Sequence, residues 1–251
     1  MQNLSDVVAM GAKPRSLVIS LGLPGDLEAE WVADFARGLN EACAPLGVSV
    51  DGGDLVGADE IVVAVTVLGD MEGRTPVLRG GAQIGDRVIH AGHLGHGAAG
   101  YEILKAGLEI TNALAPLVDD FRRPKPPLHD ALAAAESGVL TAMMDVSDGL
   151  IRDARRLAKA SGVWVNFHGT NLEPRLRDLA VAAGKLRADR REWLYTGGED
   201  QGFLATIRPG TEVPTGFTDV GEVMGAYMGG RVTLEGKEIA GQGGWDHFGA
   251  D

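Results

Sequence analysis

The chain has 251 residues, 45% of them hydrophobic, and a formal net charge of −12. That length suits one or two domains with a substantial core, and the acidity argues against a nucleic-acid-binding surface. Cys43 is the sole cysteine, which excludes a disulfide framework and a cysteine metal cluster, and neither a basic-then-apolar leader nor a run of about eighteen apolar residues is present, so a cytoplasmic enzyme without a membrane span is expected.

In chain order, residues 3–12 (Asn-Leu-Ser-Asp-Val-Val-Ala-Met-Gly-Ala) read as a Ser-Asp helix start closed by Gly11 and Pro14. Residues 16–23 form an apolar strand, and Pro24-Gly25-Asp26 opens a helix to about Ala44, with Trp31, Val32, Phe35 and Leu39 on one face and Cys43 buried within it. Residues 46–50 predict a short strand that ends at Asp51-Gly52-Gly53-Asp54, and the β-branched run 61–68 a central strand. The strand–helix–strand–strand order fits an α/β or α+β half-domain. Residues 71–85 read as a crossover to a second domain, 87–91 as a strand, 92–100 as a glycine-rich loop and 101–107 as a helix. That loop has neither the Walker A nor the Gly-x-Gly-x-x-Gly spacing, and His93 and His96 within it are expected to serve shape or solvation rather than a metal. Residues 122–127 form a basic, proline-rich connector. Helices are expected at 131–135 and 172–183, strands at 163–167, 203–207 and 220–223, and a hairpin over Glu235-Gly236 within 232–239.

Between them lies the most informative segment, Met144-Asp145-Val146-Ser147-Asp148-Gly149-Leu150. An apolar run (Val139, Leu140, Ala142, Met143, Met144) meets a helical pattern (Leu150, Ile151, Ala154, Leu157, Ala158), with Ser147 as the expected N-cap. Two carboxylates and a hydroxyl at a strand–helix junction suit a hard cation such as Mg²⁺ shared with phosphate. A capped helix with acidic residues favoured by its dipole would have the same residues. Three other segments pair carboxylates with glycines: residues 3–12, Asp51–Asp54, and Thr196-Gly197-Gly198-Glu199-Asp200. Together the four favour a polyacidic metal–phosphate site over four ordinary turns.

With Arg79-Gly80-Gly81-Ala82 and the closing Gly243-Gly244-Trp245-Asp246-His247-Phe248, these segments resemble, in consistent order from end to end, the thiamine-monophosphate kinase family within the aminoimidazole ribonucleotide synthetase-like superfamily. The resemblance implies a two-domain α/β (α+β) fold, with residues 1–72 as the remainder of an N-terminal ATP- and Mg²⁺-binding domain and 73–251 as a C-terminal α/β domain. It implies transfer of the γ-phosphoryl of ATP to thiamine monophosphate, in line, on a Mg²⁺–aspartate cluster. By the same resemblance Asp6, Asp54, Asp145 and Asp148 are expected Mg²⁺ ligands, Gly53 and Ser147 nucleotide contacts, and Arg79 the cation on the ATP phosphates. Asp148 and Arg79 are then the catalytic residues. Glu199 or Asp200 contacts the thiamine moiety, Trp245 packs on its cationic ring, and His247 supports the C-terminal turn. A homodimer is expected if the N-terminal strands are supplied.

The family's Gly-Asp-Asp-Ala segment and the strand after it have no counterpart here, so the N-terminal domain is expected to be incomplete. Two alternatives stay open: a superfamily synthetase acting through a phosphorylated intermediate, for which Cys43 is a poor reactive thiol, and an inactive chain that only binds nucleotide.

Overall fold

The computed structural model describes residues 1–239 and 243–245. Asp246, His247 and Phe248 lie outside the described residues.

The N-terminal part consists of helix α1 (Gln2–Ala9), strand β1 (Lys13–Leu23), helix α2 (Ala29–Cys43) and strands β2 (Ser49–Gly57) and β3 (Val62–Asp70). The sheet order is β2-β1-β3, with β2 parallel and β3 antiparallel to β1. Leu17, Ile19 and Leu21 alternate inward along β1, which makes it the central strand, so the expectation for residues 61–68 is corrected: that strand lies at the sheet edge. Two boundaries also differ from expectation. Ser5 and Asp6 sit in the middle of α1 rather than at its start, because Met1 occupies the cap and the apolar face Leu4, Val8 and Ala9 is buried over the whole segment. Gly52-Gly53-Asp54 lies inside β2 instead of ending it, paired with Val18, Ile19 and Ser20. There a Cβ on Gly53 would run into the Ile19 carbonyl, so the glycine is what lets the two backbones approach.

The larger part follows: β4 (Arg87–Ala91), α3 (His96–Lys105), α4 (Ala115–Arg122), α5 (Leu128–Glu136), β5 (Leu140–Val146), α6 (Leu150–Ser161), β6 (Val163–Phe167), α7 (Gly169–Leu172), α8 (Leu176–Leu186), α9 (Arg190–Thr196), β7 (Gly202–Ile207), β8 (Phe217–Ala226), β9 (Arg231–Leu234) and β10 (Lys237–Glu238). Among the described residues its seven strands run in the order β10-β9-β6-β8-β4-β7-β5, all neighbours antiparallel except β6 with β9. Successive residues of a strand face opposite sides, and the sheet feeds two cores. Val88, Met144 and Leu204 face one core with Ile103, Leu117, Leu157, Leu179 and Leu194 from α3, α4, α6, α8 and α9. Ile89, Met143 and Ala205 face the other, which contains Leu4 and Val8 of α1, Leu17 and Ile19 of β1, and Ala131 and Ala134 of α5. The second core thus joins the N-terminal sheet to the large sheet through α1.

Helix α3 begins at His96, five residues before the expected start. Its small residues are helical packing surface, not loop: a Cβ on Gly100 would strike the Leu117 carbonyl of α4. Among the described residues no helix is long and apolar enough to cross a membrane.

Candidate active site

At the C-terminal end of β5 the chain turns into α6, whose buried face is Leu150, Ile151, Ala154, Leu157 and Ala158. The turn needs glycine at position 149, where φ is +118° and a Cβ would meet the Thr196 carbonyl. Ser147 is not the N-cap. That position belongs to Gly149 and carries no side-chain cap bond, and Asp153 in the first turn of α6 takes over the role. Its Oδ2 accepts the N–H groups of Ser147 and Asp148, each at 3.0 Å. Asp153 Oδ1 accepts from Arg156 Nη1 at 2.6 Å, and Arg156 Nη2 reaches Asp148 Oδ2, also at 2.6 Å. Burial pushes the Asp153 carboxyl up to about 6, against the pull of the backbone bonds and of Arg156.

The loop 197–200 lies against this turn. Glu199 N–H donates to the Ser147 carbonyl at 2.7 Å, and Gly198 is pressed against Ser147 and Asp148. Glu199 and Gln201 both hold left-handed φ values, 70° and 56°, the kind of local strain that persists where surrounding bonds over-determine the backbone. The Asp200 carboxylate accepts Gly95 N–H at 2.5 Å through Oδ2 and Gly97 N–H at 2.8 Å through Oδ1. Burial raises it to about 7 despite those bonds. The Glu199 side chain, by contrast, is exposed.

The segment 243–245 closes over the same turn: Arg152 N–H donates to the Gly243 carbonyl at 3.1 Å and Trp245 N–H to the Asp148 carbonyl at 2.9 Å. Trp245 is 62% exposed. Asp6, on α1 packed beside β5, has its carboxyl raised first by burial and then by the charge of Asp145, which places the two carboxylates within electrostatic reach. Arg152, Arg155, Arg156 and Lys159 of α6 line a basic concavity with Gly229 and Gly230.

Asp6, Asp145, Ser147, Asp148, Glu199, Asp200 and Trp245 therefore gather around one strand–helix junction. Among the described residues, Gly53, Asp54 and Arg79 make no hydrogen bond or ion pair with it. Asp54 Oδ1 accepts the neighbouring Leu55 N–H at 2.9 Å, on a strand exposed along its whole length. The Arg79 main chain lies at the opposite end of α6, its carbonyl accepting from Ser161 Oγ at 2.9 Å. Reading the residues in sequence missed Asp153 and Arg156, although an acid on the buried stripe of a helix with an arginine three residues on was the available signal. It also missed the Gly95 and Gly97 amides, which carry no side-chain signal at all.

The class follows from this two-part fold. Residues 1–71 match the AIR synthase related protein, N-terminal domain, and residues 83–237 its C-terminal domain. Thiamine-monophosphate kinase of Mycobacterium tuberculosis is 38% identical over 249 residues, covering 99% of this chain and 72% of that protein. The Corynebacterium glutamicum enzyme is 33% identical, over 98% of this chain and 74% of its own. The Aquifex aeolicus enzyme complexed with AMPPCP and TMP superposes with a TM-score of 0.88 at 32% identity, covering 98% of this chain and 77% of that one. The chain belongs to the thiamine-monophosphate kinase family. A hydrogenase maturation protein, HypE, in complex with ATP shares the fold alone, at 18% identity and a TM-score of 0.72.

Proposed function

We propose that this chain is an ATP-dependent kinase that phosphorylates thiamine monophosphate to thiamine diphosphate in the cytoplasm. The observation that carries the reading is the convergence of residues 145–148, 197–200 and 243–245 on one turn, in a chain 38% identical to a thiamine-monophosphate kinase over 99% of its length.

An oxygen of the substrate phosphate attacks the γ-phosphorus of ATP in line with the departing β–γ bridging oxygen, so one P–O bond forms as another breaks and ADP leaves. The attacking phosphate is already ionised, and no strong base is needed. The difficulty is repulsion between anions, which is answered by alignment and charge neutralisation.

An all-oxygen donor set of Asp6, Asp145 and Asp148 suits Mg²⁺, and the mutual charge of Asp6 and Asp145 is what a cation would relieve. These three, with Asp54 from β2, would hold Mg²⁺, which when bound screens the phosphate oxygens. Ser147 and Gly53 would contact the nucleotide and Arg79 its phosphates. With both Asp200 oxygens taken by backbone N–H groups, Glu199 is left as the carboxylate that meets the thiamine moiety, and Trp245 offers its exposed face to the thiazolium. Cys43 is buried in α2, and burial pushes its thiol up, which disfavours a reactive-cysteine synthetase. A second copy of the chain is the expected partner.

The test is chromatographic detection of thiamine diphosphate from ATP, Mg²⁺ and thiamine monophosphate. Product is expected, abolished by chelating Mg²⁺ and reduced at least 100-fold by Asp148→Ala. ADP release independent of thiamine monophosphate, or a variant as fast as the parent, would sink the proposal.

A further inference from the structure

The loop between β4 and α3 turns on two left-handed glycines, Gly92 at φ 103° and Gly95 at φ 81°. The turns bring the rings of His93 and His96 into a stack with centroids 4.2 Å apart. Nδ1 of each ring points at the same atom, Oδ2 of Asp120 on α4, and both separations are 2.7 Å. One nitrogen from each histidine and one oxygen of the aspartate lie within 4.8 Å of one another. On the far side of His96, Asp178 Oδ2 of α8 stands 4.0 Å from Nε2.

We propose that His93, His96 and Asp120 form a binding site for a divalent transition-metal ion of the Zn²⁺ type, separate from the aspartates at the β5–α6 turn. Two imidazole nitrogens and one carboxylate oxygen are the ligand set such ions favour, and hard cations such as Mg²⁺ prefer oxygen alone. Metal–nitrogen bonds of about 2.0–2.1 Å in a tetrahedron place ligand atoms roughly 3.3 Å apart. The two histidine–aspartate separations need to open by only about 0.6 Å, which the His93 side chain, 61% exposed, can supply by a small rotation. That same exposure leaves the fourth position to water. His96 and Asp120 are largely buried, at 9% and 17%, and so form the fixed side of the site. Asp178 beside the distal nitrogen of His96 is placed as the outer carboxylate that orients a metal-bound imidazole. Without metal, the two imidazoles share a single carboxylate oxygen. With it, each Nδ1 proton passes to solvent while Nε2 takes one up, so the rings stay neutral imidazoles and their Nδ1 lone pairs turn to the ion. The loop so pinned also supplies the Gly95 and Gly97 amides that hold Asp200, so an ion here would stiffen the support of residues 197–200.

The experiment is titration of the chelator-stripped full chain with Co²⁺, followed by visible absorption, in the presence of excess Mg²⁺ to occupy oxygen-only sites, and then displacement by Zn²⁺. One equivalent of Co²⁺ giving intense low-symmetry absorption bands, lost on adding Zn²⁺, is expected. His93→Ala and His96→Gln should each weaken binding at least 10-fold. Absence of the bands, or equal affinity in the parent and in His93→Ala, overturns the site. Because His93 is exposed, that variant decides the matter even if His96→Gln fails to fold.

Discussion

Asp153 and Asp200 hold the loops of the site by accepting backbone N–H groups, and both do so from enclosed positions that favour the protonated form. The consequence for pH has a definite sign. A carboxyl raised in the folded chain to about 7, as at Asp200, binds its proton more tightly folded than unfolded. Its contribution to stability is fully present below the ordinary carboxylate range and is lost as pH rises through about 7. Between pH 5 and 7 the parent should therefore lose stability more steeply than Asp200→Asn, by up to roughly 1.4 kcal/mol per pH unit. The variant loses the backbone bonds made to one of the two carboxylate oxygens and should begin about 1 kcal/mol lower at pH 5. Denaturant unfolding at several pH values checks this, and parallel slopes in the two proteins would place the titration elsewhere. The role of Asp200 was not legible beforehand, because a carboxylate bonded to amides 103 and 105 residues away has no local pattern.

At the scale of elements, α6 carries the site. Its apolar spacing was plain from Leu150, Ile151, Ala154, Leu157 and Ala158, and those residues are buried as that spacing requires. Its polar start followed other rules. Asp153 reaches back to two orphan N–H groups and ties Arg156 to Asp148, where a Ser147 cap was expected. Arg156→Ala should cost about 2 kcal/mol, less than a fully enclosed pair because the arginine is 38% exposed. Asp153→Asn in that background should recover part of the loss. A double-mutant cycle in urea measures the coupling, and additive effects would mean the pair is not the linchpin of the turn. Helix α3 teaches the same lesson from glycine. Gly97 and Gly100 look like loop residues, yet they are where the helix touches Glu199 and Leu117.

For the whole molecule, the three-stranded sheet has one face covered by α1 and α2 and the other open. Val18, Val62 and Leu68 are all more than a third exposed, and their β1 and β3 positions fall in one register, Val18 opposite Thr66, Gly22 opposite Val62 and Ser16 opposite Leu68. An apolar sheet face of this kind is an expected interface, and the proposed homodimer should use it. Sedimentation should show a dimer at micromolar concentration that Val18→Lys shifts to monomer. A parent chain that is monomeric throughout the range would remove this face as the interface.

By itself the sequence determined the strands at 16–23, 61–68, 87–91, 163–167 and 203–207 and the apolar stripe of α6, since each is written in contiguous residues with a period of two or 3.6, and the order of the four acidic segments carried the resemblance to the family. Only the tertiary structure decided which segments meet. It set Asp145, Ser147, Asp148, Glu199 and Trp245 around one turn, and among the described residues it gave Gly53, Asp54 and Arg79 no bond to it. It also engaged Asp200 with backbone amides and stacked His93 on His96 against Asp120. Those outcomes depend on sheet order and on helices docking across long intervals of chain, where burial and backbone bonding, not local propensity, choose the neighbours.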